Sequence, residues 1–170
     1  MRKLILMRHA KAERAAASGE DFDRGLTDRG HADAALMGRV LLKEGLRPDL
    51  ALVSAAKRTR ETWEGAAAAF GEVDARFDKT LYASSPRILR QAIMRVEDDA
   101  DTVMLVGHNP ETPMLMLELM VEAAEPASVM DRARSKFPTA SVAVFEFDEA
   151  MRPRFYNLYF AKDHGGGAGD

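Results

Sequence analysis

The chain has 170 residues, 46% of them apolar and 30% charged, with a formal net charge of −3. That length fits one domain able to bury about 70% of its unfolded surface, and the mildly acidic balance argues against nucleic acid or an anionic membrane as the main partner. No cysteine is present, which excludes disulfides, thiolate zinc sites and any phosphatase with a cysteine nucleophile.

The first element is a short strand over residues 3–7, whose apolar run Leu4-Ile5-Leu6-Met7 ends at Arg8-His9. That run is far too short for a signal core or a membrane span, so a cytoplasmic location is expected. A polar loop carrying Glu13, Ser18, Gly19 and Asp23 follows. Thr27 can then cap a helix over 28–44, with Ala34, Met37, Leu41 and Leu42 on its apolar face and Gly45 and Pro48 as stops. Asp49–Ser54 reads as a second strand. The next helix, over 57–70, carries Thr59, Thr62, Trp63, Ala66, Ala67 and Phe70 on one stripe, leaving Lys57, Arg60, Glu61 and Glu64 wet.

Residues 73–77 make a weak strand. Ser85-Pro86 supplies a capping hydroxyl and a first-turn proline for a helix whose core face is Ile88, Leu89, Ala92, Ile93 and Val96. Val103–Val106 is a third buried strand, ended by Gly107-His108-Asn109, and Asn109-Pro110 opens another helix. Two late strands, 141–147 and 154–160, flank a turn at Asp148–Pro153, and 163–170 read as a flexible glycine-rich tail. The alternation predicts an α/β fold: a three-layer α/β/α sandwich with a mostly parallel sheet, forming a single domain over 1–162.

In such sheets ligands bind beyond the carboxyl ends of the strands. His9 and His108 both end buried strands, so both imidazoles are expected there. Arg8 joins them, and Arg58 lies at the start of the 57–70 helix, where free N–H groups would assist it. Guanidinium forks match phosphoryl oxygens, and a neutral imidazole can attack phosphorus. Each residue alone has a plainer reading. A histidine after a strand is often a structural hydrogen-bonder, and Arg58 could be a solvated helix charge. His31 and His164 keep that plain reading. No His-x-x-x-His or His-x-His spacing occurs, so neither a metal nor another cofactor is expected.

Leu6-Met7-Arg8-His9-Ala10-Lys11-Ala12-Glu13 resembles the opening motif of the histidine phosphatase (phosphoglycerate mutase-like) superfamily, and is most similar to its SixA-type phosphohistidine phosphatase branch. The resemblance continues through Asp23–Gly30, Ser54–Thr62, Leu81–Ser84, Val106–Pro110 and Phe137–Ser141, in order. It implies a phosphoglycerate mutase-like fold. It also implies His9 as a nucleophile that carries the phosphoryl group, with Arg8, Arg58 and His108 holding its oxygens before water releases it. Lys11 and Asn109 stand beside the two histidines as further substrate-binding candidates.

Two positions depart from the superfamily pattern. Asn109 stands where one branch has an aspartate acid, and Ala83 where the mutase-like branch has a glutamate. Glu13 and Asp23 remain as candidate proton donors. An alkoxide leaving group, whose conjugate acid is about as weak as water with its pKa of about 15.7, needs such a donor. Imidazole departs neutral, with a conjugate acid near a pKa of about 6.5. A phosphohistidine-bearing protein is therefore the expected substrate, approached through an open site by a monomeric enzyme. The alternatives are a phosphatase for small esters or anhydrides, and a non-catalytic phosphoprotein-binding module.

Overall fold

The computed structural model describes residues 1–167. The strands are β1 (Lys3–Arg8), β2 (Leu50–Ser54), β3 (Asp74–Asp78), β4 (Thr102–Gly107), β5 (Val142–Phe147) and β6 (Pro153–Tyr159). They form one six-stranded sheet in the order β3-β2-β4-β1-β5-β6. The pairings β2–β3, β2–β4 and β1–β4 are parallel, whereas β1–β5 and β5–β6 are antiparallel. The sheet is thus mostly parallel, with a hairpin added at one edge.

Helices α1 (Asp28–Lys43) and α2 (Lys57–Ala67) cover one face. Helices α3 (Pro86–Met94), α4 (Glu111–Glu122) and α5 (Ala127–Ser135) cover the other. Alternation along the strands feeds both layers. Ile5, Met7, Met104 and Val106 pack towards α1 and α2, while Leu4, Leu6, Val103 and Leu105 pack towards α3 and α4. A strand buried on both faces has no polar positions to spare, which is why these runs read as continuously apolar. Each buried Leu or Ile contributes roughly 1.5–3 kcal/mol.

The helix starts follow their sequence signals in two cases. Thr27 accepts from Gly30 N at 3.0 Å, and Ser85 accepts from Ile88 N at 3.3 Å. At α4 the expectation shifts by a position: Pro110 is itself the N-cap, and Thr112 N donates to His108 O at 2.9 Å. Leu42 and Ile88, expected in the core, are exposed, because each sits about 100° from the centre of its helix's apolar stripe. Helix α5, absent from the sequence expectations, has a short stripe of Val129, Met130 and Ala133 in a nine-residue, mostly polar segment, and Ala133 is its one fully buried residue.

The expected tail is also corrected in part. Ala161–His164 form a 3-10 turn, Gly166 N donates to Ala161 O at 2.9 Å, and Gly167 N donates to Asp33 Oδ1 at 3.0 Å. A backbone without Cβ can approach the buried Asp33 on α1 closely, so Gly166 and Gly167 pack against the domain while Gly165 stays exposed. Residues 168–170 lie outside the described residues.

Helices α1 and α2 touch through small residues. A Cβ on Gly38 would stand 2.3 Å from the Ala66 carbonyl oxygen. Gly38→Ala should therefore separate the pair and cost about 1–3 kcal/mol, read as a lower urea midpoint. An unchanged midpoint would show that the helix pair is not held at this spacing.

Candidate active site

The central strand β4 lies between β1 and β2, all three parallel. Arg8 aligns with Gly107 and Val53 with Val106, so His9, His108 and Ser54 emerge together at the carboxyl edge. Gly107 is needed there, since a Cβ would meet Thr112 Oγ1 at 2.6 Å and push α4 off the strand end.

The His9 backbone is fixed on both sides. Its N–H donates to Gly107 O at 3.0 Å, and its carbonyl accepts from Ala140 N at 3.0 Å. Ala10 N donates to Thr62 Oγ1 at 3.0 Å, which ties the segment to α2. His9 Nδ1 lies 2.7 Å from the Ala10 carbonyl oxygen. A carbonyl only accepts, so Nδ1 carries the proton. Burial, helped by the positive charges of Arg58, Arg8 and Arg24 and opposed by the Ala10 bond, lowers the His9 pKa to about 4. The ring is therefore neutral at pH 7, with the lone pair on Nε2.

His108 is only 6% exposed, and its Nε2 is 2.7 Å from Ser54 Oγ. Its ring centroid is 5.6 Å from that of His9. Burial first, then the charge of Arg58 and, in acid, that of a protonated His9, lowers its pKa to about 3. Tyr82 packs edge-on against it at 5.6 Å, and Phe22 packs on Tyr82 at 5.0 Å.

Arg58 is no solvated helix charge: it is 5% exposed. Its Nη1 donates to Asp21 O at 2.8 Å and its Nη2 to Asp21 Oδ2 at 3.0 Å. The first turn of α2 behind it has no side-chain cap. Arg8 donates from Nη1 to Phe137 O at 3.0 Å, so the 137–141 segment buttresses both Arg8 and His9. Among the described residues, no group of three or more His, Asp or Glu side chains is gathered as a metal ion would require.

A profile of the histidine phosphatase superfamily (branch 1) matches residues 4–82. An uncharacterized protein of Mycobacterium tuberculosis is 36% identical over 139 residues, which cover 81% of this chain and 85% of that one. A candidate phosphohistidine phosphatase SixA of Agrobacterium tumefaciens is 31% identical, with a TM-score of 0.81 over 94% of this chain and 98% of that one. The chain belongs to the histidine phosphatase superfamily, SixA type. A similar SixA structure from Nakamurella multipartitia is 29% identical, with a TM-score of 0.82 over 94% of this chain and 95% of that one. The activity class is accordingly that of a phosphatase with a histidine nucleophile.

In this histidine phosphatase the two departures from the superfamily pattern lie at the rim. Asn109 is exposed directly after His108, and Ala83 is exposed in a left-handed conformation with φ of 49°. Of the acids in the 13–25 loop, Asp21 reaches the cluster. Glu13 is exposed and bonds through its backbone, its carbonyl accepting from Arg24 and its N–H donating to Gly25 O at 2.8 Å, while Asp23 accepts from Ser18 at 2.7 Å. Lys11 is half-buried, and its carbonyl receives Thr27 N at 3.0 Å.

Sequence reasoning missed Asp21, Tyr82 and Ser54 as site residues. Asp21 Oδ2 accepts from Tyr82 Oη at 2.7 Å, and Oδ1 accepts from Arg24 Nε at 2.9 Å. The Tyr82 hydroxyl, then Arg24 and Arg58, hold its carboxyl far below the usual carboxylate range. Nothing in the sequence separates Asp21 from Asp23, because the 3-10 turn at Asp21–Asp23 decides which one faces α2. Glu61, expected to be wet, accepts from Leu26 N at 2.9 Å and pins the same loop.

The two lowered histidines make acid destabilising. Below pH about 6.5 the unfolded chain binds protons that the folded one refuses, so stability falls as pH drops from about 6.5 towards about 4. Above pH 6.5 this contribution is flat. His9→Gln and His108→Gln should each reduce the slope of unfolding free energy between pH 7 and 5 by up to about 1.4 kcal/mol per pH unit. Urea titrations across that range measure it; an unchanged slope in both variants would contradict neutral histidines.

Proposed function

We propose that this chain is a metal-independent phosphohistidine phosphatase that works through a covalent phosphohistidine on His9, acting in the cytoplasm on a phosphohistidine-bearing protein. The observation that carries the reading is the state of His9. Its Nδ1–H is committed to Ala10 O, and its pKa is lowered to about 4, so Nε2 is a free nucleophile amid guanidinium groups.

Nε2 attacks phosphorus while Arg8, Arg58 and His108 take the oxygens, and the P–N bond to the substrate's histidine breaks. Water then attacks the His9 phosphoryl group and releases phosphate. The carboxylate at the cluster, Asp21, is held ionised and has no proton to give. An alkoxide would have to leave unassisted. A phosphoimidazole protonated on its distal nitrogen leaves as neutral imidazole, and an anionic Asp21 favours that protonated ring. The SixA relatives, named as candidate phosphohistidine phosphatases, support the same substrate class.

His9→Ala should abolish both turnover and an acid-labile phosphoenzyme; normal rates in that variant overturn the mechanism. Arg58→Ala should lower kcat by about 10²–10³, as expected for the loss of one transition-state donor. In a substrate panel, phosphoramidate should outrun glycerol and sugar phosphates. Faster hydrolysis of the simple esters would overturn the leaving-group argument in favour of a small-ester phosphatase, and phosphate-analogue binding without turnover would favour a binding module.

A further inference from the structure

Met7, Val142 and Tyr159 lie in one row across β1, β5 and β6. Strands β1 and β6 both run antiparallel to β5, so His9 and Phe160 leave the sheet by the same edge. Two inter-strand spacings separate them, about 10 Å. Beyond β6 on that edge an open groove is lined by Arg132, Lys136 and Lys162, with Pro138 and Phe160 as its apolar floor and Asp163 as its one carboxylate.

The three cations are exposed, and none makes an ion pair among the described residues. Arg132 lies over the Phe160 ring at 6.0 Å, which fixes its direction without neutralising it. Their presence together is notable on a chain whose formal net charge is −3. Pro138 joins the groove to the catalytic edge, since the adjoining Phe137 carbonyl holds Arg8 and Ser141 N donates to Pro138 O at 3.1 Å.

We propose that this groove is a docking site for an acidic segment of the protein substrate. The inference rests on the phosphohistidine-protein reading above and deepens it. A small phosphate at His9 is too short to reach the groove. A polypeptide holding its phosphohistidine at His9 spans about 10 Å with roughly three extended residues. An acidic run starting three to five residues from the phosphohistidine would therefore lie among Arg132, Lys136 and Lys162. The local positive field would steer such a partner and lower its KM while leaving the chemical step alone.

The test uses two phosphohistidine peptides that differ only there, one with a run of Asp and Glu three to five residues from the phosphohistidine, the other with Asn and Gln. Phosphoramidate serves as the control substrate. At low ionic strength the wild-type enzyme should prefer the acidic peptide by about tenfold in kcat/KM, mostly through KM, and about 0.5 M salt should erase the preference. The double variant Lys136→Glu/Lys162→Glu should lose the preference while turning over phosphoramidate normally. Lys162→Glu alone, outside the segment that clasps Arg8, should shift it in the same direction. Equal rates on both peptides in the wild type, or a preference that survives the double variant, overturn the docking site alone. Phosphoramidate turnover with neither peptide hydrolysed overturns the protein-substrate reading, and the docking site with it.

Discussion

The parallel pairing of β4 between β1 and β2 is the constraint on which the rest depends. Residues 9, 54 and 108 are far apart in the chain, yet the register places all three at one sheet edge. A parallel pair requires a crossover, and the crossovers here are α1, α2 and α3 on the sheet's faces. Burial of both faces is what makes the register unforgiving. A one-residue slip would turn Met7 and Val106 away from α1 and α2 and carry the histidines off the edge.

The second organising feature is electrostatic. Two buried imidazoles sit among guanidinium groups with few counter-charges; burial first, and then the positive charges, disfavour a proton on either ring. The same positive field suits a dianionic phosphoryl group. Asp21 pairs with Arg58, which ties the 13–25 loop to the site. The guanidinium cluster adds to both the anionic state of Asp21, set first by the Tyr82 hydroxyl, and the neutral state of His9, set first by burial.

Local signals identified most elements because they act over short spans. Apolar runs marked the buried strands, Thr27 and Ser85 marked helix starts, and the small residues of α1 and α2 permitted their contact. Helix α5 is hard to read from sequence because its apolar stripe is only Val129, Met130 and Ala133, and no capping side chain marks its start. The tail was misread because glycine signals both freedom and close approach, and only the buried Asp33 distinguishes them. Taken alone, Arg58 among Lys57 and Arg60 reads as a surface charge; the motif reading sets it at the site, and the structure buries it where α2 begins.

The sequence by itself determined the layers, the strand ends and the pair of histidines, since these follow from residue periodicity and from motifs a few residues long. It also determined that Asn109 and Ala83 carry no acid. Only the tertiary structure decided that His9 keeps its proton on Nδ1, that Arg58 is buried, and that Asp21 instead of Glu13 or Asp23 stands at the cluster. Those outcomes depend on burial and on contacts between segments tens of residues apart. No local pattern encodes such contacts; they arise when the sheet brings its carboxyl ends together.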